Sequence, residues 1–527
     1  MEESVDRSHA CPQTAPGHLA AIAHLFGLDA PDVSTARVLE IGCSAGNNLI
    51  PFAAWHPEAR AVGIDLSQVR IDEGRKRIAA LGLRNVELYQ ADIAQIDPAT
   101  LGAFDFVVCH GVYSWVADNV QQAILAALSG ALAPEGIGYI SYNVYPGWKA
   151  KEIVRDAMLL RGGAMTTPQE KVSYARGMID FLEEVAPVDS VLAKALCDYK
   201  AQGHMKDDDL LHEELATFNS PCYLLEMESR SRANGLMYLA EATPHTMFAT
   251  NYGDKVAEPL LKECGHSQVL LEQYLDFVVN RTFRQSLLVH AERAPQIRYT
   301  LDRTRYQHLH FAAWLPPVDE RTRLDDSTQE FGGAGEVLTT AVPDIKAAME
   351  ALTARWPWTL SRQELLDAVR ARLSSAGIEA AANQEPAIDE LLEYLIVHGL
   401  ASYRLEPVLL PPTSTPRPDE SARRLAELVR DDPEPCIYNA WHESVPLSAA
   451  DRLLLPLLDG TRDRDSLIAA LLAATRAGVL HFERDGLPLA TEAEIRDAAA
   501  EHVDTLGERL TAMKLWREVE ARHSRFR

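Results

Sequence analysis

Three acidic residues in the first hundred positions each stand at the end of a short apolar run. Glu40 ends the run Arg37-Val38-Leu39, Asp65 ends Ala61-Val62-Gly63-Ile64, and Asp92 follows Val86-Glu87-Leu88-Tyr89-Gln90-Ala91. Between the first two lies a turn bounded by glycines, Gly42-Cys43-Ser44-Ala45-Gly46-Asn47-Asn48, after which Leu49 to Trp55 resumes at helical spacing. This pattern predicts strand, tight loop and helix, with the glycines letting backbone come close to a ligand and the helix start offering unpaired N–H groups to an anionic group such as a carboxylate. In a doubly wound sheet the carboxyl ends of neighbouring strands open into one crevice, so the three acids are expected to share it.

Acids in that position select the ligand. A pyrophosphate would be repelled, each like-charge pair at ~4 Å costing on the order of 1 to 4 kcal/mol. The dinucleotide fingerprint would also need glycines at Ser44 and Asn47, which are not there. A sulfonium carrying an amino group would be attracted, so the expected cofactor is S-adenosylmethionine, leaving as S-adenosylhomocysteine. The alternative is an α/β domain whose glycines only make turns.

Further along, Phe104 to Cys109 opens into His110-Gly111-Val112-Tyr113-Ser114-Trp115-Val116, and the run 136–142 opens into Asn143-Val144-Tyr145-Pro146-Gly147-Trp148. Both leave the edge where a reactive methyl would point. Tyr113, Trp115, Tyr142, Asn143, Tyr145 and Trp148 are therefore the expected acceptor site: aromatic rings attract a cation and disfavour its charge once desolvated. Ordinary packing is the competing role for each ring. Asn143 followed by Tyr145-Pro146 lacks the second proline of the N/D-P-P-Y signature and follows the fifth strand, so that assignment is rejected. His110 serves equally well as general base, core residue or cofactor contact. His212-Glu213 lacks the second histidine of H-E-x-x-H, and no metal is expected.

Positioning these residues requires a sheet. Helix 67–82, strand 86–90, strand 104–109, helix 119–133 and strand 136–142 alternate as in a mostly parallel sheet with right-handed crossovers. Ahead of them, 12–28 reads as a proline turn and a helix with Leu19, Ile22, Ala23 and Phe26 on one face, able to cover the sheet or close over the cofactor. Residues 149–220 read as a helical insertion, and two more strands, Leu236 to Glu241 after a Gly235 cap and Phe283 to His290, complete seven. Ser361 to Glu364 is a capping box opening a winged-helix-like unit, and Pro411 to Pro418 is the clearest linker. The expected organisation is a cofactor-binding core over 1–148, the insertion 149–220, completion of the sheet over 221–295, a middle domain over 296–410 and a mainly helical domain over 411–527.

The order of the strand-end motifs resembles that of class I S-adenosylmethionine-dependent methyltransferases. Within them, Val112-Tyr113-Ser114-Trp115-Val116, Tyr142 to Trp148, His212-Glu213-Glu214-Leu215, Gly235 to Ala242 and Asn280 to Gln285 resemble bacterial enzymes with a methyltransferase regulatory domain, and the rickettsial-type protein-lysine methyltransferases in particular. The likeness is strong over roughly 12–295 and looser beyond. It implies a Rossmann-like fold in which Glu40, Gly42, Cys43, Ser44, Gly46 and Asn47 hold the methionine part, Asp65 and Leu66 the ribose, and Ala91, Asp92 and Ile93 the adenine edge, with His110 nearby. Two positions depart from that branch: Ala15 replaces a histidine, and Glu214 a tyrosine.

Composition narrows the partners. With 51 basic and 76 acidic side chains the net charge is −25, which disfavours nucleic acid and anionic membranes, and the acidic balance persists beyond residue 356. Seven cysteines without a C-x-x-C pair indicate neither a disulfide framework nor zinc, and fit a reducing cytoplasm. The start of the chain has no basic stretch leading into an apolar core, so neither secretion nor membrane insertion is expected. A protein nitrogen, that of lysine, is the expected acceptor; a small molecule of specialised metabolism, or a scaffold that binds cofactor without turnover, are the alternatives. A homodimer is compatible with all three.

Overall fold

The computed structural model describes residues 9–516 apart from 164, 202–206, 208–209, 320, 334, 380–382, 410–414, 433–434 and 485–486, with the side chains of 212 and 213 also outside the description. The side chains of the His212-Glu213 pair and the first half of the proline-rich linker, 411–414, therefore lie outside the described residues.

Seven strands form one sheet: β1 Arg37–Ile41, β2 Arg60–Asp65, β3 Val86–Gln90, β4 Phe104–Cys109, β5 Leu132–Asn143, β6 Leu236–Glu241 and β7 Phe283–His290, in the order β3-β2-β1-β4-β5-β7-β6. The first five pair in parallel, and β7 runs antiparallel between β5 and β6. The expected seven-stranded doubly wound sheet is thus present, and its one reversed strand sets the start of β7 beside the end of β5, with Asn143 opposite Phe283. Parallel strands are covered on both faces and read as nearly continuous apolar runs, which is why β1 and β4 are buried almost throughout.

Helices α1 Pro16–Leu25, α2 Leu49–Trp55, α3 Gln68–Leu81 and α4 Asp118–Ala131 flank the sheet. Ser67 caps α3 by accepting from Arg70 N–H, and Gly82, in the left-handed region at φ +70°, ends it. Helix α1 is buried on every face, not on one: Leu19, Ile22 and Ala23 are sealed, and so are Ala20 and Ala21. Its second face packs against β12, Ser402–Arg404, in the C-terminal half. Helices α5 Trp148–Gly162, α6 Pro168–Val185 and α7 Val191–Ala201 follow β5 and pack on one another around Met158, Ala175 and Leu196. Thr167 and Glu170 form a capping box at the start of α6.

Downstream, β8 His310–Ala312, β11 Leu360–Ser361 and β12 make a small sheet on helices Pro343–Arg355, Arg362–Ser375 and Glu385–Val397, beside the hairpin β9 Gln329–Gly333 and β10 Glu336–Thr340. The capping box at Ser361 and Glu364 is formed. The last part carries a hairpin, β13 Cys436–Tyr438 and β14 Ser444–Pro446, and helices Arg464–Arg476 and Glu492–Asp504. One apolar core runs without a break from Leu19 and Phe106 to Leu395, Leu425 and Trp516, so the two halves of the chain are packed together. Among the described residues no helix is long and apolar enough to cross a membrane.

Candidate active site

Strand adjacency brings the three acids to one edge. The loop after β1 is fixed to β2 by Gly42 N–H and Cys43 N–H, both donating to Ile64 O at 2.8 and 3.1 Å. Asp65 then ties three segments together: its Oδ2 accepts from Ser44 N–H at 2.8 Å, its Oδ1 from Ser67 N–H at 2.8 Å, and its carbonyl from Ala91 N–H at 2.9 Å. Asp92 caps the turn 93–95 by accepting from Ala94 N–H at 2.9 Å. Both carboxylates remain half-buried, with lone pairs to spare for hydroxyl or amino donors. Glu40 is only 4% exposed, and its Oε1 accepts from Asn48 Nδ2 at 3.0 Å.

The glycines are there for room. Gly42 holds φ +79° and Gly46 +74°. A Cβ on Gly42 would come 2.4 Å from Val112 Cγ2, and one on Gly63, beneath the loop, 2.6 Å from Cys43 Sγ. The cradle therefore fits an organic cation lying along bare backbone, with the carboxylates of Asp65 and Asp92 at its lip.

Not every expected cofactor residue faces this crevice. Cys43 is buried with its sulfur on Gly63. Asn47 turns its Oδ1 to Arg77 of α3 at 2.5 Å, behind the loop. Leu66 is 68% exposed at the rim, while Ala91, Asp92 and Ile93 stand half-buried at the end of β3. His110 leaves β4 with Nδ1 2.8 Å from the Tyr139 hydroxyl, which also accepts from Gln285 Nε2 at 3.0 Å. Burial lowers His110 to about 4, so it is a neutral ring and a weak base near neutral pH.

The acceptor residues divide by strand parity. Along β5, Tyr139, Ser141 and Asn143 face one side and Ile140, Tyr142 and Val144 the other, so Tyr142 and Asn143 cannot line one wall. Tyr142 is sealed in the core with its hydroxyl on Ser286 at 2.9 Å, and Tyr113 is equally sealed, edge-on to it. These two rings are packing residues, contrary to expectation. Asn143 is buried too; its N–H donates to Ser114 Oγ at 2.8 Å and its Nδ2 to Asn219 Oδ1 at 2.9 Å. Trp115 stays half-buried, edge-on to Trp148 at 5.9 Å. Tyr145 is half-buried, donates to Glu152 Oε1 at 2.7 Å, and begins a row of rings with Tyr223 at 5.4 Å and Phe277 a further 5.8 Å on. Lys149 Nζ lies 3.6 Å from the centre of the Tyr145 ring.

Sequence reasoning missed several groups of this edge. Phe283, 39% exposed and edge-on to His110 at 6.4 Å, arrives because β7 is antiparallel. Tyr139, Gln285 and Asn48 were also missed, as were Ala10 and Cys11 just ahead of the proline turn. Cys11 N–H and Thr14 Oγ both donate to Asn48 Oδ1, at 3.2 and 2.9 Å. The proline turn ahead of α1 thus lies against the loop that follows β1. Among the described residues no cluster of His, Cys, Asp or Glu is arranged for a metal.

With this geometry in view, comparison with known proteins decides the family. Models for a "methyltransferase domain", a "predicted methyltransferase regulatory domain" and a "PKMT, C-terminal winged helix domain" match residues 38–136, 206–290 and 416–515. An uncharacterized protein of Rickettsia prowazekii is 30% identical over 92% of this chain and 87% of its own. The chain belongs to that family of S-adenosylmethionine-dependent methyltransferases. The structure of PKMT2 from Rickettsia typhi in complex with AdoHcy superposes with a TM-score of 0.84 at 25% identity, covering 97% of this chain and 99% of that one. S-Adenosylmethionine is accordingly the methyl donor. A trans-aconitate 2-methyltransferase of Paracidovorax citrulli is 31% identical over only 22% of this chain and 42% of its own, a stretch too short to speak for the acceptor.

Proposed function

We propose that this methyltransferase transfers the methyl group to a nitrogen of a protein acceptor, the Nζ of lysine. S-Adenosylmethionine supplies a methyl on a sulfonium, already an excellent leaving group. The chain's task is then to hold donor and amine in line, to exclude water, and to keep the amine neutral. In this reading Glu40 holds the methionine amino group, Asp65 the ribose hydroxyls, and the Asp92–Ile93 turn the adenine edge.

The observation that carries the reading is the row of rings Tyr145, Tyr223 and Phe277 at the end of β5, with the protein's own Lys149 ammonium over Tyr145. Rings so placed accept a lysine side chain through cation–π attraction and, as water is displaced, lower the cost of losing its proton. Half-exposed Phe283, edge-on to the neutral ring of His110, adds apolar surface at the end of β4 and the start of β7. Because His110 is a weak base, the amine's proton leaves to solvent before attack. The name of the Rickettsia typhi relative, and the coverage of both chains nearly end to end, support the same acceptor class.

The test is incubation of the purified enzyme with methyl-labelled S-adenosylmethionine and cell extract, followed by size fractionation. Label in protein is expected; label confined to small molecules would overturn the proposal.

A further inference from the structure

Asn48 is the junction of four parts of the chain. Its Oδ1 accepts from Cys11 N–H, Thr14 Oγ and, at 2.7 Å, His442 Nε2, while its Nδ2 donates to Glu40. Cys11 contributes a backbone N–H, which can only donate, and the Glu40 carboxylate can only accept, so the orientation of the amide is fixed from both ends. His442 comes from the far half of the chain, 394 residues away.

The turn presenting His442 is built with care. Asn439 Oδ1 accepts from Trp441 N–H at 2.9 Å and Glu443 N–H at 3.1 Å, and its carbonyl accepts from His442 N–H at 3.0 Å. Trp441 is pinned by its indole N–H to Pro357 O at 3.0 Å and by the buried Arg404 guanidinium over its ring at 5.3 Å. His442 itself holds φ +62°, a left-handed conformation that residues with a Cβ avoid unless their surroundings impose it. It is 7% exposed, and burial, with Arg404 and His56 nearby, lowers its pKa to about 3, leaving a neutral ring that donates through Nε2–H.

We propose that His442 is a positioning residue of the cofactor site: through Asn48 it aligns the Glu40 carboxylate, so the C-terminal winged-helix domain is part of the S-adenosylmethionine site. The inference rests on the reading that Glu40 holds the methionine end. It predicts that a chain ending near residue 295 loses cofactor affinity as well as turnover, because Asn48 loses one of its three donors and α1 loses the cover of β12.

The experiment uses the full-length chain with S-adenosylmethionine as titrant, and reads the dissociation constant by calorimetry beside the thermal midpoint. His442→Phe keeps the ring volume without a donor and is expected to weaken binding about tenfold. His442→Gln, at the same backbone strain, restores an N–H donor and should bind within about threefold of wild type. In the pair His442→Phe with Asn48→Ala, binding should be no weaker than in Asn48→Ala alone, since the histidine acts only through the asparagine. A merely structural histidine would lower the thermal midpoint in both His442 variants and leave the constant unchanged, which overturns the proposal. Glu40→Gln separates the two layers: if it weakens binding while His442→Phe does not, the relay is wrong but the cofactor reading stands. If Glu40→Gln binds as wild type, the reading of Glu40 falls and the relay with it.

Discussion

Gly42→Ala is the smallest change that should disable the cofactor loop, and the structure gives its magnitude. At φ +79° a residue bearing a Cβ pays about 1 to 2 kcal/mol. The new methyl would also sit 2.4 Å from Val112 Cγ2, on a β-branched side chain with little rotamer freedom, and overpacking of this kind costs about 1 to 3 kcal/mol. The loop cannot slide away, because Gly42 and Cys43 both donate to Ile64 O. Relief must come from the 110–116 segment, which carries His110 and Trp115. Together these effects come to roughly 2 to 5 kcal/mol, shared between folding and binding, so the dissociation constant for S-adenosylmethionine should rise at least about tenfold in calorimetry on folded protein. Adding Val112→Ala removes the overlap but not the backbone strain, and should return about 1 to 3 kcal/mol. A Gly42→Ala protein with unchanged affinity and thermal midpoint, or a double variant no better than the single one, would refute this argument.

Asp65→Ala should weaken S-adenosylmethionine binding by about 1.5 to 3 kcal/mol, the range for hydrogen bonds to a charged group, with some loss of loop order because Ser44 and Ser67 lose their acceptor; unchanged affinity by calorimetry removes Asp65 from the site. Arg284 is fully buried and donates to Glu241 at 2.9 Å, Glu272 at 3.0 Å and Asp276 at 2.8 Å, so Arg284→Met leaves three buried carboxylates of which, among the described residues, Asp276 keeps an arginine partner in Arg281, and should cost about 3 to 5 kcal/mol in denaturant unfolding. His442 has a folded-state pKa of about 3 against 6.5 when unfolded, so the unfolded chain binds the proton first as pH falls. The stability it contributes is complete above pH 6.5 and is lost towards pH 3, by about 2 kcal/mol at pH 5. Thermal scans from pH 7 to pH 5 should therefore show a shallower decline in His442→Gln, and parallel curves would contradict the assignment.

Much of the cofactor edge could be read from the chain because it is written locally. A run of buried apolar residues, a turn whose glycines must take positive φ, and an acid at each strand end are features of neighbouring positions. Tyr142 shows a reading the sequence permitted but that needed parity: on a strand it cannot share a wall with Asn143. Asn47 and Asn48 are adjacent amides, and nothing local distinguishes the one that turns to Arg77 from the one that meets Glu40. Phe283 depended on the direction of β7, which is decided by how residues 242–282 carry the chain from β6 back between β5 and β6. His442 lies beyond any local signal, since its meaning comes from a contact with a loop 394 residues earlier. The same long-range packing explains why α1 is buried nearly all round although one covered face was expected: the sheet buries one side and β12 the other.

The most direct test of the account is to find where the methyl group goes. Protein labelled by the purified enzyme and methyl-labelled S-adenosylmethionine should be digested and its modified residues located by tandem mass spectrometry. Label is expected on the Nζ of lysine, and should be lost when Tyr145 and Tyr223 are both replaced by alanine in an enzyme that still binds cofactor. Label on a carboxylate, a hydroxyl or a small molecule, or undiminished lysine methylation by the Tyr145→Ala, Tyr223→Ala enzyme, would contradict it.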